Sequence, residues 1–401
     1  MSFTVAGLAA LIACGTALAG ELDPPPGPVA RSMKTLIDVE PRTAVNSTNT
    51  PGDESATYLI TRPGSYYLAA PLVGEPGKAG VEIAASHVTL DLRGFEAAGV
   101  KGAAAGIRVR SAQSDITVRN GVVSNWPGIG VDTIEAPFTI LEDVRASCND
   151  VGIVTTHSST IRRCVADENN GGGILTGRSN VVADCITSFN QTYGMYVQEA
   201  CRVDRCLFEG NTNNGLYLDG GGCEITNCTS VNNGLHGIAS IYGASISSCT
   251  AEHNAANGLW SLGPVAFLNC RCSSNGENGI EAGDNSSVTN CAVRDNLRDG
   301  LHLGARVSAT GNHATGHAKG AGIRVVGSAS RIDGNAVMGN MVGVRVTAEG
   351  CFIVRNTAAA SATQAFDIAP GNTFGPVISA VGVGDLGAVT GTNHPLANVI
   401  Y

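Results

Sequence analysis

The sequence predicts an all-β chain: a single-stranded right-handed parallel β-helix, a solenoid of about twelve coils with a cap at each end. Three observations predict it. First, a Gly-aliphatic pair recurs at Gly106-Ile107, Gly130-Val131, Gly152-Ile153, Gly173-Ile174, Gly194-Met195, Gly215-Leu216, Gly237-Ile238, Gly258-Leu259, Gly279-Ile280, Gly300-Leu301, Gly322-Ile323 and Gly343-Val344. From Gly130 the step is 21 or 22 residues, and fixed self-similarity at such a period marks a solenoid. Second, three further columns keep the same step. They are an aliphatic column (Ile161, Val182, Val203, Ile225, Ile246, Phe267, Val288), a cysteine column (Cys164, Cys185, Cys206, Cys228, Cys249, Cys270, Cys291) and an asparagine column (Asn169, Asn190, Asn211, Asn233, Asn254, Asn275, Asn296). Third, apolar residues alternate after each glycine, as in Met195/Val197, Leu216/Leu218 and Ile323/Val325, and period two means strand. Gly and Asn break each unit too often for a helix.

Each column has a physical reading. Stacked aliphatics fill a continuous core. Asn tolerates the left-handed backbone of a bend and hydrogen-bonds the Asn above and below. Asn312, Asn335 and Asn356 take over the cysteine positions in later coils, which marks a small, inward-facing site. Stacked side chains lie parallel, ~4.8 Å apart, a poor geometry for disulfides. The cysteine column therefore reads as buried thiols, and Cys201 with Cys223 is the best disulfide candidate. No C-x-x-C pair supports zinc or thiol redox chemistry.

Composition agrees with many short strands and tight turns: 52 of 401 residues are Gly, 15% are charged and 5% aromatic. A formal charge of −9 excludes the basic footprint of a nucleic-acid binder. Residues 1–19 read as an export signal, apolar from Phe3 to Leu18, with Ala17-Leu18-Ala19 as an A-x-A cleavage site. No Lys or Arg precedes the run. Leu11-Ile12-Ala13-Cys14 also fits a lipobox with Cys14 as the lipidated residue. An uncleaved N-terminus is the third reading; the first two place the protein outside the cytoplasm, secreted, periplasmic or on the cell envelope, and only lipidated Cys14 would tie it to a membrane.

Residues 20–79 then form an N-terminal cap and the first strands, with a short capping helix over Arg31 to Glu40 suggested by Met33, Leu36 and Ile37. The β-helix is expected over 80–358. Residues 359–401 form a C-terminal cap or tail that packs over the end or along one side. Covered ends protect the open sheet edges from aggregation.

With repeats such as Gly215-Leu216-Tyr217-Leu218 and Ile225-Thr226-Asn227-Cys228, and a first coil reading Gly80-Val81-Glu82-Ile83 then Val88-Thr89-Leu90-Asp91-Leu92-Arg93-Gly94-Phe95, the sequence resembles the pectin-lyase-like right-handed β-helix superfamily. The resemblance runs from roughly Gly80 to Asn356. It implies the fold, and a glycan lying along the outer face of one parallel sheet. It does not fix an activity: neither the paired-Asp pattern of galacturonases nor the Asp-Pro-His-Asp of epimerases stands out.

If Met195 and Val197 point inward, the residue between them points out. That defines an outward column of Val154, Leu175, Tyr196, Tyr217, Ala239, Trp260, Glu281, His302, Arg324 and Arg345. The chain has 2 Trp and 8 Tyr, yet one Trp and two Tyr fall on this strip, where flat rings suit sugar C–H groups. Asp219 shares the face of Tyr217. In a uronate lyase or epimerase, Arg324 and Arg345 would neutralise the carboxylate, His302 would take the C5 proton and Glu281 would orient it. Tyr196, Tyr217, Asp219 and Trp260 would hold neighbouring sugars. His313 and His317 lie in a turn rather than on a helix and read as structural. No metal or cofactor is implied. Two other readings stay open: a non-catalytic glycan-binding surface protein, and a structural rod whose tail covers the strip.

Overall fold

The computed structural model describes residues 42–381 and 394–401. The export segment, Cys14 and the capping helix expected over Arg31 to Glu40 lie outside the described residues. Within them the regular elements are all strands, and no helix is long and apolar enough to cross a membrane.

A typical coil supplies three short strands. After Gly194 these are Met195–Val197, Arg202–Asp204 and Leu207–Glu209. Each pairs in parallel with its counterpart one coil on, through Met195↔Leu216, Val203↔Ile225 and Phe208↔Ser230. Three ladders result. The first, following the repeat glycines, has fifteen strands from Ala56–Ile60 to Gln364–Ile368. At ~4.8 Å per step it runs for about 67 Å. The second and third ladders are joined near the N-terminus, where Ile116–Ser124 and Ile140–Ser147 run through the corner between them.

Fifteen strands exceed the twelve coils expected. The extra three are Ala56–Ile60, Ala79–Ile83 and Gln364–Ile368. The outer two have no Gly-aliphatic pair, and Gly80 stands outside the 21–22-residue step. Past Asn356 the chain keeps stacking. Thr373–Phe374 pairs with Phe352–Val354, and Asn398–Ile400 pairs with both Thr357–Ala359 and Val377–Ser379. The described tail thus extends the stack, and Tyr196, Tyr217 and Trp260 remain half-exposed.

The columns line the interior. The aliphatic column is buried throughout, from Ile161 to Val288. The asparagine column is buried as well, and here the sequence reading needs correction. The left-handed residue at this bend is the one before each Asn: Glu168, Phe189, Gly210, Asn232, His253, Ser274 and Asp295. The Asn that follows turns inward. Asn190 Oδ1 accepts from the backbone N–H of Asn169 at 3.1 Å and from its Nδ2 at 2.8 Å, while Asn190 Nδ2 donates to Ala166 O at 3.0 Å. The pattern repeats coil by coil. It also explains the glycine column: a Cβ on Gly237 would sit 2.8 Å from Asn254 Nδ2 and 2.5 Å from the Gly258 carbonyl oxygen.

His317 replaces Asn in this ladder. It is fully buried, accepts from Asn296 N–H through Nδ1 at 3.2 Å, and its Nε2 has no partner. Burial lowers its pKa below the ordinary 6.5. The neutral form is therefore the one that folds, and stability held above pH 6.5 is lost as pH falls below that value toward the depressed pKa. His317→Asn should remove that acid-side loss. Denaturation midpoints measured against pH for both proteins check it, and parallel curves would sink the idea.

One described cysteine is exposed, Cys148, and eleven are buried and free, the seven of the column among them. Cys201 and Cys223 are free thiols too, so the disulfide candidate is not formed. Their sulfurs donate instead to carbonyls, Cys201 to Gly177 O at 3.1 Å and Cys223 to Gln198 O at 3.0 Å. Among the described thiols, a thiol reagent should label Cys148 alone in the native protein, slowly, since partial burial and Glu168 push its pKa up. The other eleven should react only on unfolding; native labelling mapped by peptide mass decides it.

Candidate functional site

The first ladder presents the outward strip in the expected register. Tyr196↔Tyr217, Tyr217↔Ala239, Ala239↔Trp260, Trp260↔Glu281, Glu281↔His302, His302↔Arg324 and Arg324↔Arg345 are direct neighbours. The expected residues fall into an aromatic part and a charged part, bridged by Trp260.

In the aromatic part, Tyr217 stacks on Tyr196 with ring centres 5.8 Å apart. Tyr193, from the turn before the strand, stacks on Tyr217 at 5.1 Å. Asp219 accepts the Tyr196 hydroxyl. Burial and that bond push the Tyr196 pKa up to about 12. Two coils on, Trp260 carries the His236 ring parallel to it, 5.3 Å away and tilted by 9°. His236 Nδ1 accepts from Asn257 N–H at 3.2 Å, which places the ring proton on Nε2. Burial lowers the His236 pKa, against the pull of Glu281, and favours a neutral, flat platform.

In the charged part, Asp299 is the hub. It is 4% exposed. Its Oδ2 accepts from His302 Nδ1 at 3.1 Å and from Arg324 Nε at 2.7 Å, and its Oδ1 accepts from Ala321 N–H at 2.8 Å. Burial alone would raise the Asp299 pKa; bonds from His302, Ala321 and Arg324 outweigh it and hold the carboxyl below its usual range. An ionised Asp299 can only accept, so His302 carries its proton on Nδ1. That leaves the Nε2 lone pair for a reactant.

The expected orienting role of Glu281 does not match this geometry. Glu281 Oε2 is held by the side-chain amides of Asn257 at 3.1 Å and Asn278 at 3.0 Å, while Asp299 holds His302. Asp299 lies at the turn onto the His302 strand, three residues earlier, within reach of its ring. Arg345 Nε pairs with Asp367 at 2.8 Å. Asn278, Glu281, Arg298, Asp299, His302, Lys319 and Arg324 line an open cleft beside the strip. Trp260, Leu262, Glu281, Asp284, His302 and Val326 line a second one on its other flank. No group of three or more His, Cys, Asp or Glu side chains among the described residues could hold a metal ion.

The residues missed from sequence are Tyr193, His236, Asn257, Asn278 and Asp299. They share one position, immediately before the repeat glycine, with Asn214 between Tyr193 and His236. From Asn214 to Asp299 each side chain here accepts the backbone N–H of a neighbouring coil, as in Asn278 N–H to Asn257 Oδ1 at 2.9 Å and Asp299 N–H to Asn278 Oδ1 at 3.0 Å. A column turning from aromatic to amide to acid beside the outward strip was visible in the aligned repeats.

The chain is similar to several solved structures. An A-module of a mannuronan C-5 epimerase from Azotobacter vinelandii is 15% identical, covering 78% of this chain and 90% of its own, with a TM-score of 0.48. The Dettilon tailspike protein is 14% identical over 78% of this chain and 62% of its own, with a TM-score of 0.46. The catalytic unit of an α-1,3-glucanase from Streptomyces thermodiastaticus is 12% identical over 84% and 69%, with a TM-score of 0.39. No curated protein sequence matches the chain. The family described as "right handed beta helix region" matches residues 79–224 and 198–359, well over half of the sequence, in agreement with the three parallel ladders. The chain belongs to the right-handed β-helix family.

Proposed function

We propose that the strip is a groove for an acidic polysaccharide, and that the protein removes the proton α to the carboxylate of a uronate residue. One observation carries this reading: the Asp299–His302–Arg324 constellation stands on the same exposed strip as two aromatic platforms. Sugars lie against Tyr193, Tyr196 and Tyr217 and against Trp260. The terminal nitrogens of Arg324, with Arg345 one coil on, face the carboxylate and draw off the charge that develops on it. His302 Nε2 takes the C5 proton, and Asp299 supports the imidazolium that forms. The C5–H electron pair passes into the carboxylate. It then expels the C4 oxygen, which leaves as the hydroxyl of the shortened chain on taking a proton from solvent, giving an unsaturated uronate, or recaptures a proton from solvent on the other face, giving the C5 epimer. The export reading of residues 1–19 places this chemistry outside the cytoplasm.

A second reading, a glycan binder without turnover, is favoured by one detail. Arg324 and Arg345 are each already matched to a carboxylate, Asp299 and Asp367. The deciding experiment offers the purified protein polygalacturonate, alginate and sulfated glycans. Ultraviolet absorbance reads unsaturated product, proton NMR reads epimerisation, and a binding titration runs in parallel. Product from a uronate polymer supports the proposal. Binding with an unchanged polymer leaves the binder, and no binding overturns both.

A further inference from the structure

The third ladder carries a basic notch on a different face of the coil. Strands Thr250–Glu252, Arg271–Ser273, Ala292–Arg294 and His313–Thr315 pair there in register. Their middle residues are buried, so the flanking ones point outward. One outward row reads Thr250, Arg271, Ala292, His313, and the row beside it reads Glu252, Ser273, Arg294, Thr315. Ala292 is the low point. Arg271 and His313 rise from the neighbouring coils, ~4.8 Å to either side, and Arg294 stands roughly 6.6 Å along the strand. Together they enclose a cavity.

The charges there are unusual for this molecule. Most described arginines elsewhere meet a carboxylate, as do Arg145 with Asp167 at 2.7 Å, Arg205 with Asp184 at 2.7 Å and Arg306 with Asp284 at 3.2 Å. Arg271 and His313 have no side-chain hydrogen bond or ion pair with any described residue. Arg294 meets only exposed Asp295, at 3.2 Å through Nε. Glu252, at the rim, accepts the Ser273 hydroxyl at 2.9 Å. In a chain of formal charge −9, three basic side chains converge on one alanine.

We propose that this notch is a second binding site, taking a single oxyanion: the carboxylate or sulfate of an acidic sugar, or a free sulfate or phosphate ion. The Arg271 guanidinium offers a planar donor fork, His313 a ring N–H and Thr315 a hydroxyl. Ala292 leaves the space that any larger side chain would fill. Glu252 at the rim repels a second negative group and limits the site to one. A polymer held here is tethered without occupying the strip.

The test uses the full chain and two variants at exposed positions, Arg271→Ala and Ala292→Leu, the second filling the notch with its charges intact. Calorimetric titration with sulfate, phosphate and galacturonate reads the site. The expected result is anion binding that weakens at least about tenfold in each variant, the loss of one charge-assisted contact, and persists in Arg324→Ala, which removes the strip's own carboxylate-facing guanidinium. Galacturonate binding tighter than sulfate identifies a sugar ligand, and the reverse identifies the ion. The proposal is overturned if no anion binds at millimolar concentration, or if Arg271→Ala binds like the parent. Loss of binding in Arg324→Ala also overturns it, because the anion would then sit in the strip. Because Arg271 is exposed and without a side-chain partner among the described residues, its variant keeps the test valid even if Ala292→Leu folds poorly.

Discussion

Replacing His302 with alanine should lower turnover of a uronate polymer by about two to four orders of magnitude, the span expected for a positioned general base. The polymer should still bind within a few-fold of the parent, because the aromatic platforms and both arginines remain. Asp299→Asn is the sharper companion. The amide keeps the shape but no longer supports an imidazolium, and it can feed a donor to His302 Nδ1 and turn the tautomer over. Turnover should fall nearly as far as in His302→Ala, and the double variant should fall no further than the worse single one, because the two act as a unit. Trp260→Ala does the opposite: it should weaken binding by roughly three- to tenfold and spare turnover at saturation. If His302→Ala retained full turnover, the base would lie elsewhere on the strip.

Asn254→Ala should cost several kcal/mol. Asn254 is 1% exposed. Its Oδ1 takes the Asn233 backbone N–H at 3.2 Å and the Asn233 Nδ2 at 2.9 Å. Its Nδ2 donates to Ser230 O at 3.2 Å and Asn275 Oδ1 at 3.0 Å. Truncation breaks four buried bonds and strands the Asn233 backbone N–H, at about 1–3 kcal/mol for a buried group left without a partner, while Asn233 Nδ2 keeps Phe208 O and Asn275 Oδ1 keeps the residue-254 N–H. Asp is no remedy, since it cannot donate and brings a charge into the core. Denaturant midpoints test the size of the loss. Hydrogen exchange should find it concentrated in the coils from Asn233 to Asn275. A cost under about 1 kcal/mol would mean that water takes over the ladder.

The fold was legible because stacking forces repetition. A side chain that suits the interior of one coil suits the next, so glycine, cysteine, asparagine and aliphatic columns write the period into the chain. The outward strip was legible for the same reason: alternation about Met195 and Val197 puts Tyr196 outside, and every later coil inherits that register. The strand Ala56–Ile60 was legible as one of the less regular first strands, through Tyr58-Leu59-Ile60, but not as a coil of the count, because it carries no repeat signature; Gln364–Ile368 was not legible for the same reason. Asp299 was missed for a different reason. Its importance comes from a turn that folds back toward His302 and Arg324, and alternation along a strand says nothing about a turn. The bend was misassigned at the asparagines because the strained residue and the inward one are adjacent, and sequence alone favoured Asn for both.

The in-register stacking of the first ladder makes the strip a graduated scale. Every feature on it lies a whole number of steps from every other, so the span between the tyrosines and His302 changes by ~4.8 Å or not at all. Trp260 sits two steps beyond Tyr217, with buried Ala239 between them. Excising the one coil that carries Ala239 would bring the two aromatic platforms a step closer while every other neighbour kept its partner. For a chain built this way, adaptation to a polymer of different repeat length does not require a reshaped pocket. It requires the gain or loss of a whole coil, a digital change in an otherwise unaltered molecule.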